Sequence, residues 1–220
     1  MINKLPIFPL NTVLFPGMPL HLHIFENRYK LMMQQILLHE PVFGVALIRR
    51  GNESLGAVPE PHLVGTTARV THVEPLEDGR MNISAIGEKR IQIEEQYHDY
   101  PYLIADVQEY NVDFHRPLDI YRRLRTLRKQ VEYYLRTLDR MDTMEIDLSQ
   151  IDMPDDPLTF LFLSASLLQI PSPEKQPILT APSALEICLA VERLYRRENA
   201  VLRDLLPISA DHARNLAMWN

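Results

Sequence analysis

Two periodicities divide the chain. Before about residue 110, apolar side chains recur at every second position or in short unbroken runs, as in strands; beyond it they recur at every third and fourth, as in helices. LHLHIF at 20–25 alternates before a double apolar step and predicts a half-buried strand. Residues 42–48 form a compact apolar run suited to a strand buried on both faces. VGTTARVTHVE at 64–74 is rich in β-branched residues, and Glu77-Asp78-Gly79-Arg80 predicts a hairpin turn into MNISAIG. Residues 90–96 and 102–110 predict two more strands. One helix interrupts the series, with Tyr29, Met32, Met33, Ile36 and Leu37 at helical spacing. Further on, Tyr121, Leu124, Leu127, Val131, Leu135 and Leu138 make the apolar stripe of a long helix. Acidic residues and a proline at 152–157 predict a helix start, and Ser172-Pro173 another. A last helix is expected from about Ser183 through Leu202, with Pro207 beyond its end.

The opening stretch, LPIFPLNTVLFPGMPLHLHIFENRY at 5–29, holds Pro6, Pro9, Pro16 and Pro19. Each lacks a backbone donor, so they belong at strand ends, edges or tight connections. Phe15-Pro16-Gly17-Met18 fits a type II turn, with Gly17 supplying the positive φ. The expected domains are a β-rich unit at 1–112, a helical unit at 113–208 and a tail of unassigned structure at 209–220.

Composition narrows the function classes. Net charge is −6, which disfavours a general affinity for nucleic acid or anionic membrane and leaves room for a local basic patch. Cys188 is the only cysteine, which excludes an intramolecular disulfide and fits a reducing compartment. The first residues lack the uninterrupted apolar core of a secretory signal, and the longest apolar run, 158–170, is short of the ~20 residues a spanning helix needs. A cytoplasmic, non-membrane protein is the expectation.

The opening stretch closely resembles the start of the Lon N-terminal domain family, the substrate-binding domain of the ATP-dependent Lon protease. The pieces LPIFPL, VLFPG and LHIFENRY stand in the family's order and spacing. Further matches are FGVALI at 43–48, VGTTARVTHVE, IGEKRIQI at 86–93, and the segments at 155–179 and 184–202, so the likeness runs from about Leu5 to about Leu206. It implies an α+β chain: a PUA-like six-stranded pseudo-barrel followed by a small helical bundle. It implies a non-catalytic module that binds unfolded or partner protein segments, or acts as an adaptor, with a protease or chaperone as a partner in trans. Glu26, Arg28 and Gly87 fall in its motifs. Glu26 near a helix N-terminus, with Arg28 pairing a neighbouring acid, suits a structural role.

No active site is legible. None of the seven glycines is followed by lysine, so the P-loop of the Lon ATPase is missing, and too little chain follows Leu206 for either catalytic module. His39-Glu40 begins like a zinc-protease motif, but Pro41 would break the helix and residue 43 is Phe. His21 and His23 share a strand face without an evident third ligand. Cys188 sits between Ile187 and Leu189, as a buried thiol would. No cofactor or metal is expected. For binding, Phe15, Pro16, Met18 and Pro19 at the turn, with Met32 and Met33, are the candidate contacts, against the alternative that they are core. The cluster Arg122, Arg123, Arg125, Arg128 and Lys129 reads as the solvated flanks of an amphipathic helix. RNA binding is the alternative function, since PUA-like folds occur in RNA-modifying proteins.

Overall fold

The structure, a computed structural model, describes residues 2–51, 59–141 and 153–217. They divide into two compact units. The first comprises Met1–Asp113 and Ala165–Pro182; the second comprises Phe114–Ser164 and Ser183–Asn220. The expected split at residue 112 therefore meets an interleaved chain, in which one internal segment of the helical half belongs with the strands.

Among the described residues the first unit holds seven strands: β1 (Ile2–Leu10), β2 (Pro19–Ile24), β3 (Val42–Arg50), β4 (Glu60–Pro61), β5 (Val64–Pro75), β6 (Met81–Tyr97) and β7 (Leu103–Glu109). The sheet order β1-β7-β6-β5-β3-β4 closes on itself because β1 also pairs with β3, in parallel. A ring of five strands results, with β2 laid on the first half of β6 and the two-residue β4 on β3. The two runs expected as separate strands, at 81–87 and 90–96, are one continuous β6 of 17 residues.

Alternation along the strands builds two cores. Leu5, Ile7, Val42, Ala46, Ile91, Leu103 and Val107 share one cluster. Their neighbours Phe8, Phe43, Val45, Tyr102 and Ile104 face the other way, and meet helix α1 (Asn27–Leu37) through Tyr29, Met32, Met33 and Ile36. β1 serves both sides of the ring in turn. It pairs with β7 over Ile2–Ile7 and with β3 over Ile7–Leu10, so Pro6 and Pro9 each sit where only one neighbour is paired. The β5–β6 hairpin turns at Asp78 (φ 62°) and Gly79 (φ 69°), the two positive-φ positions a type I′ turn requires.

Residues 165–182 include helix α4 (Ser172–Thr180) and are fastened to the strands by polar contacts. Arg90 of β6, 3 % exposed, donates to the carbonyls of Leu179 (2.7 Å), Ala181 (2.7 Å) and Asn111 (3.0 Å), with its guanidinium 4.6 Å above the Tyr110 ring. Burial pulls its pKa down to about 10, which still leaves it charged at neutral pH. Gln176 donates to the Val64 carbonyl and the Tyr110 hydroxyl to that of Thr180.

The second unit is built on α2 (Pro117–Arg140) and α5 (Ala184–Ala217), with the start of α3 (Pro157–Leu167). Asp156 opens α3 by accepting from the Thr159 amide at 2.8 Å, which holds its carboxyl below the ordinary value. The expected stripe of α2 is buried except at its first member. Tyr121 is half exposed and Ile120 fills the core in its place, one residue earlier on the helix wheel. Tyr195 packs edge-on against Tyr134 at 5.3 Å and donates to the Ser164 carbonyl. α5 also runs past the stop expected at Pro207. A proline inside a helix removes one hydrogen bond and kinks the turn before it without having to end it.

Candidate functional site

The opening motif folds as its turn chemistry predicts. The Met18 amide donates to the Phe15 carbonyl at 3.1 Å across a turn whose third residue, Gly17, has φ +79°. Two further bonds pin this turn to β6: Gly17 N–H to the Gly87 carbonyl (2.8 Å) and Gly87 N–H to the Met18 carbonyl (2.9 Å). A Cβ on Gly87 would lie 2.5 Å from the Phe15 carbonyl oxygen, so the close approach depends on glycine at 87.

That docking turns part of the candidate contact set inward. Phe15 is 1 % exposed and Met32 and Met33 are 0 % exposed, so all three are core and cannot touch a client while the fold is intact. The reason is geometric: both methionines face the strands from α1, in one cluster with Phe8, Phe43 and Val45, and the turn that carries Phe15 is pinned to β6. Pro16 and Met18 are half-buried and Pro19 is exposed; the Ser166 hydroxyl donates to the Met18 sulfur at 3.2 Å.

Glu26 and Arg28 are structural in geometry. Glu26 caps the backbone of α1 in an extended conformation without a side-chain cap, and its carboxylate accepts from Arg28 Nε at 2.9 Å. The Arg28 guanidinium lies 4.6 Å over the Tyr29 ring, which stacks on Phe8 at 3.9 Å. The F-E-N-R-Y stretch thus joins α1 to β1.

A different surface of the same unit carries the features a protein-binding site needs. β1 and β3 pair only from Ile7 and Gly44 onward. Before that point a cavity of about 510 Å³ opens between Leu5 and Pro6 of β1, Ile36 at the end of α1, and Val42 of β3. Leu5, Ile36 and Val42 form an apolar floor, while Lys4, Gln35, His39 and Glu40 supply a rim of mixed charge. Ile2, at the mouth, is 44 % exposed, and the same helix end leaves Leu37 and Leu38 bare, Leu38 at 80 %. Leu37, expected on the buried face, lies just past it. Sequence reading missed this site because its wall comes from three separated segments. The one local signal was the pair Leu37-Leu38, adjacent apolar residues that a single helix face cannot both bury.

The remaining candidates fall elsewhere. His21 and His23 are exposed and pair with Ser84 (3.1 Å) and Asn82 (2.8 Å). Among the described residues no three His, Cys, Asp or Glu side chains come together as a metal site would require, and no helix is long and apolar enough to cross a membrane. Cys188 is fully buried, and burial pushes its thiol up to about 12. Of the five basic residues clustered at 122–129 on α2, Arg128 stacks over Phe160 at 4.2 Å and donates to the Met153 and Pro154 carbonyls, while Arg123 pairs with Glu192 at 2.9 Å.

Comparison with known proteins agrees with this geometry. Residues 4–194 match the family of the ATP-dependent protease La (LON) substrate-binding domain. The Lon protease of Desulforamulus reducens is 25 % identical over 216 residues, 98 % of this chain and 26 % of that protein. This chain therefore spans about a quarter of that relative's length. Among solved structures, a Lon N-terminal domain protein from Xanthomonas campestris superposes with a TM-score of 0.58 at 23 % identity, covering 86 % of this chain and 98 % of that one. The N-terminal domain of a Mycobacterium avium complex Lon protease gives 0.65 at 16 % identity, covering 88 % and 98 %.

Proposed function

We propose that this chain, which belongs to the Lon substrate-binding domain family, holds unfolded or extended protein segments without acting on them chemically. The observation that carries the reading is the unpaired mouth between β1 and β3, with an apolar floor, Ile2 exposed at its edge, and the exposed pair Leu37-Leu38 next in the chain to its lining residues Ile36 and His39. Burying a large aliphatic side chain contributes about 1.5–3 kcal/mol, from which the cost of ordering the client is subtracted. A few such contacts support loosely specific binding with a Kd on the order of micromolar or weaker. The rim offers no nucleophile paired with a base, so a bound segment leaves unchanged. A protease or chaperone acting in trans, in a reducing cytoplasmic setting, is the consumer this role calls for.

The test is titration of the chain into a fluorescently labelled, reduced and alkylated unfolded protein, read by anisotropy. Leu37→Asp with Leu38→Asp places two charges at the end of α1, beside Ile36 and His39 of the mouth, and is expected to weaken binding about tenfold, while the melting temperature falls by only about 4 °C or less because Leu38 is 80 % and Leu37 38 % exposed. Unchanged affinity in that double variant refutes the assignment of the mouth.

A further inference from the structure

A second surface, in the helical unit, is built on a different chemistry. α2 carries seven basic and three acidic side chains, a net +4, in a chain whose total is −6. α2 and α5 run in parallel. Arg123 bonds Glu192 and Asn199 bonds the Gln130 carbonyl, each pair 69 positions apart, and a constant offset means the two helices rise together. Between them lies a groove of about 480 Å³.

Its lining extends from Arg116 to Thr126 on one helix and from Leu185 to Arg196 on the other. That is about three turns, or roughly 15 Å, the length of four or five extended residues. Glu192, 3 % exposed, lies between the guanidinium groups of Arg123 (2.9 Å) and Arg196 (3.2 Å) and fixes both at the groove. Arg116 and Arg122 line the same groove and have no ion-pair partner among the described residues. Because the helices are parallel, both N-termini lie at the Arg116 end, where the two helix dipoles add to the positive potential. Leu185 and Leu189 supply an aliphatic strip, Leu189 being 41 % exposed.

We infer that this groove is a docking site for a short acidic protein segment that also carries aliphatic side chains. Four guanidinium groups against two carboxylates, Asp119 and Glu192, select an anionic occupant. The leucine strip and the absence of any aromatic ring in the lining favour a peptide over single-stranded nucleic acid, which such grooves hold by stacking. The site lies within the second unit and is independent of the mouth between β1 and β3.

The experiment is fluorescence anisotropy with the full chain and a labelled peptide of alternating glutamate and leucine. Saturable binding is expected at about 0.1 M salt, where the screening length is about 10 Å, and much weaker binding at about 1 M, where it is about 3 Å. Arg116→Glu with Arg122→Glu is expected to weaken binding about tenfold at the lower salt, with melting unchanged since neither arginine is paired. Lysine at both positions should restore affinity to within about threefold, because charge without a fixed fork suffices for a steering contact. The Leu37→Asp and Leu38→Asp variant should bind the acidic peptide normally. Equal affinity in the charge-reversed variant, or no binding at the lower salt, overturns the proposal. So does a single-stranded RNA of equal charge that displaces the peptide and binds more tightly.

Discussion

The two units solve the problem of leaving a surface open in opposite ways. In the first, the opening is a place where hydrogen bonding stops: β1 and β3 part company before Ile7 and Gly44, and apolar side chains line the gap. In the second, no strand pairing is interrupted; the groove exists because two parallel helices carry arginine on their facing flanks. The gap takes its floor from side chains that the strands and α1 already turn inward, so that floor is apolar. A helix pair can tune its flank without disturbing its core, so it can be charged. The two proposed sites would take unlike partners for that reason.

The comparison can be broken or sharpened by experiment, beginning with the largest effect. Arg90→Met removes the cation that three carbonyls of the first unit share, leaving buried acceptors unsatisfied at about 1–3 kcal/mol each, so a loss of at least about 3 kcal/mol is expected. Hydrogen exchange should show the loss in the strands while amide protection in α2 and α5 stays as it was. Uniform loss of protection would mean the units do not fold as separate cooperative blocks.

Phe15→Ser should cost about 3 kcal/mol by denaturant titration, because it empties a fully buried aromatic site and places a hydroxyl there. The mouth variant at Leu37 and Leu38 sits below it, altering client affinity with little change in stability. Smallest is the behaviour of Cys188 in the second unit. Its thiol stands at about 12 in the fold, against an ordinary 9.0. A raised acid contributes stability that is complete below the unfolded value and is lost as pH climbs from about 9 toward 12. At pH 8 a thiol reagent should therefore leave the native protein unlabelled and react at once in denaturant; prompt native labelling would show the second unit opening.

What was legible in the sequence was mostly what neighbouring residues decide. Pro16-Gly17 announced a type II turn, and Asp78-Gly79 a hairpin, because both depend on φ alone. Met32 and Met33 could be placed on a helix, yet their common burial depends on how flat that helix lies on β1 and β3. Arg90 gave no sign of its role, since its partners are backbone carbonyls of residues chosen by the fold and not by side-chain type. Arg123 and Arg128 looked like solvated charges until α5 and the Phe160 ring met them. Tyr121 and Ile120 are both apolar enough to lead the α2 stripe, and only packing chooses between them.

Arg90 also sets a clock. The Ala181 carbonyl it binds lies 91 residues further along the chain. At a ribosomal rate of about 5–20 residues per second, that acceptor emerges roughly 5 to 20 s after the arginine does. Through that interval Arg90 has the Asn111 carbonyl alone among its three acceptors, so residues 165–182 close over it only once residue 181 has left the ribosome.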